Sequence, residues 1–457
     1  MYRIAHSTSA PAFGALVLLA GTCIPFGATN AATRVVTNCN DSGAGSLRNA
    51  VAGALSGDII DLRSVSCTRI LLTTGEIEIP QDNLTAIARG RDAMMLDGHQ
   101  TYRIFRHTGT GTLRLQDITV ARGFHAPASE LEYVSRGGCI ASDGNVEIHL
   151  TRVHHCHNPA GGFLDSPSAA GGGISALGNV KATHSSVFGN SASDFSTGGG
   201  IDAEGHVTLL YSHVFNNRAF DGAGVRAGKG ASITYSTIRD NLGSHDGAGL
   251  YLDSGDLLVN KSTISHNLGQ QTTHWSGFPQ GGGIYARGNG KRSIVDSTLS
   301  GNTAAYGTAF YMQGDTVVSN STIAFNVAIR GDDPQIPPCD GRGAIWGGTL
   351  TLRSTIVANN TCADGVGLDV ARDAPAIVGS NNLIVNADVA VPSDTIAADP
   401  RLAPLGYNGG PSRTHMLLSD SPAISQGSNF YNRAYDQRGP GFPRVKGAFP
   451  DIGAVER

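Results

Sequence analysis

Apolar positions along this chain come in short runs, each broken by glycine, serine or asparagine, and the breaks recur in a fixed order. A small-residue pair followed by an apolar residue appears at Gly172-Gly173-Ile174, Gly199-Gly200-Ile201, Ala223-Gly224-Val225, Ala248-Gly249-Leu250 and Gly282-Gly283-Ile284, and more loosely at Thr308-Ala309-Phe310. Each is followed by a Ser-x-aliphatic-x-x-Asn element, ending at Asn190, Asn217, Asn241, Asn267, Asn302 and Asn326; Ser354-Thr355-Ile356 then leads to Asn359. From the apolar residue to the Asn is sixteen residues in the first three repeats and in the one from Phe310 to Asn326. The stretch from Asn back to the next small pair varies instead.

A repeat of about 25 residues holds one turn of a solenoid, too small to bury its own apolar face. Three strands of about five residues per turn, stacked on the next turn ~4.8 Å away, make parallel sheets around one continuous core. The pattern therefore predicts an all-β, right-handed parallel β-helix. Equivalent residues should form columns: Ser185, Ser212, Ser236, Ser262, Ser297, Ser321 and Ser354, and Val187, Val214, Ile238, Ile264, Leu299, Ile323 and Ile356. The Asn slot suits a sharp left-handed turn, with a structural role.

Upstream, residues 70–120 read as about three less regular coils. Before them Ser46 to Leu55 is the one clear helix, with Leu47, Ala50, Val51, Ala54 and Leu55 on one face, Ser46 as its cap and Gly57 ending it. An open solenoid end needs a cover, and this short N-terminal helix is the predicted cap.

Composition agrees. Glycine is 61 of 457 residues, and charged residues are 15%. A net charge of −4 gives no electrostatic reason to expect nucleic acid or a membrane surface as partner. Arg3, the apolar run from Ala12 to Ala20 and the small residues from Ala28 to Ala32 read as an export signal over residues 1–31, with an apolar run too short to span a membrane. Cys23 lacks a lipoprotein box. The other six cysteines suggest disulfides in an exported protein, in three local pairs: Cys39–Cys67, Cys139–Cys156 and Cys339–Cys362.

The repeats resemble those of bacterial polymorphic outer-membrane proteins, which alternate Gly-Gly-Ala-aliphatic with Phe-x-x-Asn; here an aliphatic residue replaces the Phe, as in Ile264-Ser265-His266-Asn267. The opening Cys39-Asn40-Asp41-Ser42-Gly43-Ala44-Gly45-Ser46-Leu47-Arg48 looks like that of secreted β-helix proteins of the same group. The end is similar to the choice-of-anchor Q domain, through Asp399-Pro400, the run from Leu405 to His415, Ser421-Pro422-Ala423-Ile424, Asp436-Gln437-Arg438-Gly439 and the run from Asp451 to Glu456. This resemblance implies export and a pectate-lyase-like β-helix solenoid, but no single activity. The expected organisation is a signal over 1–31, a cap over 32–68, coils over 69–396 and an anchor-like segment over 397–457. Because the sequence ends at Arg457, directly after the motif, free secretion or non-covalent surface retention is expected, with the protein extracellular or at the outer cell surface.

The long insertions (122–136, 157–170, 191–197, 268–280 and 327–342) all enter between the Asn slot and the small pair, so they collect on one edge of the solenoid, where such proteins bind. Beside that edge runs a column predicted to face outward: Ser175, Asp202, Arg226, Tyr251, Tyr285 and Tyr311. The tyrosines, with Trp275 or Phe278 approaching from the 268–280 loop, could stack on sugar rings. Stacked aromatics also stabilise a parallel sheet without binding anything. Asp202, Arg226, Glu204 and Asp253 supply the residue types of a lyase or glycosidase, but a salt bridge between Asp202 and Arg226 is the better reading. The triplet His154, His155 and His157 around Cys156 suggests a metal, yet adjacent residues on a strand point apart and an oxidised Cys156 gives no ligand. Asp332-Asp333 offers too few carboxylates for calcium. No metal and no cofactor are expected. The reading favoured is a monomeric, non-catalytic protein binding an extracellular polysaccharide or cell-surface glycan along the loop edge. The alternative is a polysaccharide lyase or glycoside hydrolase on the same edge.

Overall fold

The structure, a computed structural model, describes residues 31–125, 135–159, 170–193, 195–270, 278–329, 343–363, 367–371 and 376–457. The export signal expected over 1–31 lies outside them, apart from its last residue.

The chain winds into a right-handed parallel β-helix with four faces rather than the three expected. One coil shows the order. Ile174–Ala176 follows the glycine pair and joins an 11-stranded sheet, here sheet I. Val180–Thr183 joins the 13-stranded sheet II, and Ser186–Phe188 the 12-stranded sheet III. After Asn190, the two-residue strand Ser191–Ala192 joins the 8-stranded sheet IV. The strands are shorter than predicted because each corner turns within one or two residues.

Two corners use a residue in the left-handed region. One lies between sheets II and III, just before the serine column: His184 (φ 49°), Tyr211 (48°) and Tyr235 (48°). The other lies between sheets III and IV, at Asn216, Asp240 and His266, each with φ 54°. The left-handed residue at this second corner therefore precedes the column asparagine, which is not itself the turn residue. The column asparagines are buried instead and bond from coil to coil. Asn190 Nδ2 donates to Asn217 Oδ1 at 2.9 Å, Asn217 Nδ2 to Asn241 Oδ1 at 3.0 Å, and Asn241 Nδ2 to Asn267 Oδ1 at 2.9 Å. The serines form a second ladder. Ser185 N–H donates to Ser212 Oγ at 3.1 Å, and Ser212 N–H to Ser236 Oγ at 3.0 Å. Both ladders satisfy backbone groups that the corners leave unpaired.

The predicted columns hold as far as Ser321, Ile323 and Asn326. One coil later the register is shifted by one residue. Ile323 pairs with Val357, and Asn326 N–H donates to Asn360 Oδ1, so Thr355, Val357 and Asn360 occupy the slots assigned to Ser354, Ile356 and Asn359. The segment Ser354-Thr355-Ile356-Val357 and the tandem Asn359-Asn360 fit the motif in either register. The strand pairing decides it, with Thr322 opposite Ile356, Ile323 opposite Val357 and Ala324 opposite Ala358.

The cap is a shorter helix than expected, α1 (Leu47–Ala52), N-capped by Ser46 and ended at Gly53. Leu47 and Val51 are its buried residues, and it sits beside Ile77–Ile79, covering the end of the core. The disulfide Cys39–Cys67 ties this region down, and Cys139–Cys156 closes a single coil, joining the start of its sheet I strand to the end of its sheet III strand. Cys362 is also disulfide-bonded; Cys339, predicted as its partner, lies outside the described residues.

From residue 397 onward the chain has no extended strand among the described residues and folds back along sheet III. Buried Gln437 donates to Ser262 O and Thr263 Oγ1 and accepts from Thr298 Oγ1. Ala454 N–H donates to Thr322 Oγ1, and Ser300 Oγ bonds His415 Nε2. The segment is held to itself by buried ions: Arg438 pairs with Asp436 at 2.6 Å, and Asp436 also accepts the Glu456 N–H. Sheet III carries Thr, Ser and Ala on its outer face from Thr263 to Ala324, small enough for this cover to lie flat, and beyond them Ile356 and Leu383 pack against Leu417, Ala423 and Ile452 of the segment. No helix among the described residues is long and apolar enough to cross a membrane.

Candidate functional site

Sheet I is entered through a turn that only glycine fits. Gly247 has φ +60°, and a Cβ on Gly249 would stand 2.4 Å from the carbonyl oxygen of Gly283 in the next coil. This close approach fixes the register of the column that follows. Arg226 pairs with Tyr251, Tyr251 with Tyr285, Tyr285 with Tyr311, and Tyr311 with Trp346. The flanking Leu250, Leu252, Ile284 and Ala286 are fully buried in the solenoid core, so the column faces away from it as predicted.

The rings stack on one another. Centroids are 5.1 Å apart for Tyr251–Tyr285, 5.5 Å for Tyr285–Tyr311 and 3.9 Å for Tyr311–Trp346, all near parallel. Arg287 lies over the Tyr251 ring, 5.3 Å from its centroid. The faces expected to take a sugar are thus occupied by neighbours, leaving ring edges and polar tips outward. Tyr251 and Tyr285 are only 6% and 9% exposed, while Tyr311 and Trp346 are half-buried. Burial raises all three phenol pKa values, that of Tyr285 to about 12, so each remains a hydroxyl donor at neutral pH. Phe278 packs edge-on against Tyr306, 6.1 Å between centroids, rather than against the column rings. Trp275 lies outside the described residues, as does most of the loop edge.

Toward the N-terminus the same column turns ionic. Asp202, 1% exposed, bonds Thr197 Oγ1 and Arg226. Arg226 is held by three carboxylates: Asp202 at 3.2 Å, Glu204 at 2.5 Å and Asp253 at 2.6 Å. Arg287 also pairs with Asp253, at 2.8 Å. Burial lifts the Asp202 carboxyl above its usual range against the pull of Arg226. Burial also works against the Arg226 charge, but the carboxylates outweigh it and hold the guanidinium protonated. The expected salt bridge is present, as part of a larger network. Neither arginine is free to neutralise a substrate carboxylate.

Three residues near the column were not singled out from the sequence. His245 Nδ1 bonds Asp221 Oδ1 at 3.0 Å and lies 3.5 Å from Asp246 Oδ2, with its ring stacked on Phe220. Burial raises the Asp246 carboxyl to about 7. Burial disfavours charged His245, yet the hydrogen bond to Asp221 and the charges of Asp246 and Asp221 together outweigh it, and its pKa is raised. These three are the only set of such donors within reach of one metal ion among the described residues. Their bonds have another use: Asp221 accepts the Asp246 N–H and Asp246 accepts the Gln280 N–H, each stapling one coil to the next. The repeated Asp-Gly-Ala-Gly at 221–224 and 246–249 was the available signal for them. Trp346, also unassigned earlier, was signalled by Gly343-Ala344-Ile345, a further copy of the small-pair motif.

The histidine triplet does not form a site. His154 and His155 do not point apart as expected, because His155 has φ 53°; their Nδ1 atoms are 2.7 Å from each other. Burial, then the charge of His155, lowers the His154 pKa to about 4. His157 turns away to Ser191 Oγ, and Cys156 is in its disulfide.

Comparison with curated proteins gives no match. Among solved structures the chain is similar to one described as the crystal structure of pectate lyase Pel9A, at 15% identity and a TM-score of 0.44, covering 94% of this chain and 98% of that one. Residues 221–395, which carry Tyr251, Tyr285, Tyr311 and Trp346, match the family described as the right handed beta helix region.

Proposed function

We propose that this is a secreted, non-catalytic protein that binds a neutral extracellular glycan along the outer face of sheet I and its loop edge. The stacked column Tyr251–Tyr285–Tyr311–Trp346 is the observation that carries the reading. It offers a rigid line of ring edges and phenol donors, ordered before any ligand arrives, so little side-chain entropy is lost on binding. The half-buried Tyr311 and Trp346 form the accessible end. Around the other end the acidic side chains of Asp202, Glu204, Asp221, Asp246 and Asp253 outnumber the basic Arg226, His245 and Arg287, which disfavours a polyanionic ligand. The same engagement of both arginines argues against lyase chemistry, which needs a free neutraliser. Disulfides suit an oxidising compartment. Division into a cap over 32–68, coils over 69–396 and an anchor-like segment over 397–457 belongs to this proposal.

The test is retention of the purified protein on a panel of neutral and acidic polysaccharides, with product ends assayed in parallel. Retention on neutral polysaccharide without new reducing or unsaturated ends supports binding. Turnover would replace it with an enzymatic reading, and no retention on any neutral polysaccharide would overturn it.

A further inference from the structure

We propose a second ligand site, for an anionic sugar residue, in the groove where the C-terminal segment meets the outer face of sheet II. It rests on observations separate from the aromatic column. The groove has a volume of about 610 Å³ and is walled by Lys291, Ser293, Val295, Val317, Tyr431 and Arg433. That is the size of a small-ligand pocket, and a junction between two packed segments is where such pockets form.

Each wall has its own chemistry. Val295 and Val317 give an apolar floor beside the Ser293 hydroxyl. Tyr431 gives an aromatic wall, 42% exposed, fixed from behind by Arg353, whose Nη1 donates to the phenol oxygen at 2.9 Å. A flat fixed ring over an apolar floor suits one sugar ring. The charges are cationic. Lys291 is exposed and makes no ion pair among the described residues. Arg433 stands 3.7 Å from Asp296, a carboxylate already bonded to Lys261.

Arg292 also lines the groove and is 1% exposed. It sits in register with Leu257, at a core position, and its guanidinium bonds the carbonyls of Gly255, Arg287 and Gly288. Its Nε has no partner, and no carboxylate pairs with it among the described residues. A buried cation without a counter-ion leaves positive potential at the groove. Against this stand Asp315 in the lining and Asp256, whose Oδ1 accepts the Lys291 backbone N–H. With Asp296 and its partner Lys261 included, four cations face three carboxylates, which favours a single carboxylate or sulfate on the ligand over a neutral sugar.

Titration calorimetry on the full chain would compare three matched oligosaccharides: one ending in glucuronate, its glucose counterpart, and a sulfated form. The two anionic ligands should bind at least about tenfold more tightly than the neutral one, with affinity falling as salt rises. Lys291→Gln and Tyr431→Ala should each weaken the anionic ligand, and excess neutral polysaccharide should not displace it. Lys291 is exposed, so its variant keeps the fold. Equal affinity for the neutral oligosaccharide, indifference to both substitutions, or displacement by neutral polysaccharide would overturn the site. Glucuronate binding without sulfate binding would narrow it to carboxylates.

Discussion

Asn217 and Asn241 are joined twice: Asn241 Oδ1 accepts both the backbone N–H and the Nδ2–H of Asn217, each at 3.0 Å. Asn241 in turn donates to Val214 O at 3.2 Å and to Asn267 Oδ1 at 2.9 Å. One buried amide thus satisfies groups in the coil before it and the coil after it. Asn241→Ala removes these partners at once and strands two buried donors and a carbonyl, at a cost of about 3 kcal/mol or more. The urea midpoint should fall with an unchanged slope. A loss under about 0.5 kcal/mol, the range of neutral surface changes, would show that the ladder is incidental.

The aromatic column separates binding from stability along its length. Tyr251 and Tyr285 are nearly enclosed between neighbours, so truncating either to Ala should lower stability by about 2 kcal/mol or more. Tyr311 and Trp346 are half-buried and form the accessible end. Tyr311→Ala should weaken neutral-glycan retention by a factor of about ten while costing less stability than Tyr285→Ala. Thermal melts and affinity electrophoresis on the same variants read both quantities. If all of them lose stability alike and retention stays constant, the column is only a sheet stabiliser.

How far the sequence could be read depended on what each residue type distinguishes. The small pair before Ile201 or Leu250 can occupy only one place in a coil, because backbone of the next turn lies where a Cβ would go. Fold, core and column order were therefore legible. Ser354-Thr355-Ile356-Val357 offers two hydroxyls and two β-branched residues, so hydrophobic pattern alone could not choose its register; the pairing of Ile323 with Val357 does. The direction of the tyrosines followed from alternation, but their ring contacts did not. Whether a ring presents its face or its edge depends on the spacing between coils and on side-chain rotamers. Asp221 and Asp246 were passed over because a charged residue before a glycine reads as an ordinary turn. Their stacking appears only once the coils are superposed.

Lys261 is the pin between coil and C-terminal segment. Its Nζ donates to Asp296 Oδ2 at 3.1 Å and to the carbonyls of Tyr435 and Asp436 at 2.6 Å each, in a site where Lys261 is 8% exposed. Lys261→Met keeps the volume but leaves a buried carboxylate and two carbonyls without this donor, costing about 3 kcal/mol. Most of that loss should fall on the segment. Limited proteolysis followed by mass spectrometry should show early cuts beyond residue 397 while the coils persist as a large fragment. Simultaneous loss of coils and segment would mean that the boundary proposed at 397 does not separate two units.

Asp246 and His245 make stability depend on pH near neutrality. Burial raises the Asp246 carboxyl from its ordinary 3.8 to about 7, and His245 is raised above 6.5 despite burial by its bond to Asp221 and the charges of Asp246 and Asp221. In both cases the folded state holds the proton more tightly than the unfolded chain does. Their contribution is complete below the unfolded pKa values and is lost as pH rises through the folded ones. The melting temperature should therefore fall between about pH 5 and pH 8. Asp246→Asn can keep the acceptor for Gln280 N–H and removes the buried charge, so it should flatten this dependence and stabilise the protein at pH 8 by on the order of 1–3 kcal/mol. At pH 4, where the native carboxyl is protonated, the variant and the parent should melt together. Calorimetry across that range decides the matter: a parent that becomes more stable from pH 5 to pH 8, or a variant that is less stable than the parent at pH 8, would show that Asp246 is ionised and favourably paired at neutral pH.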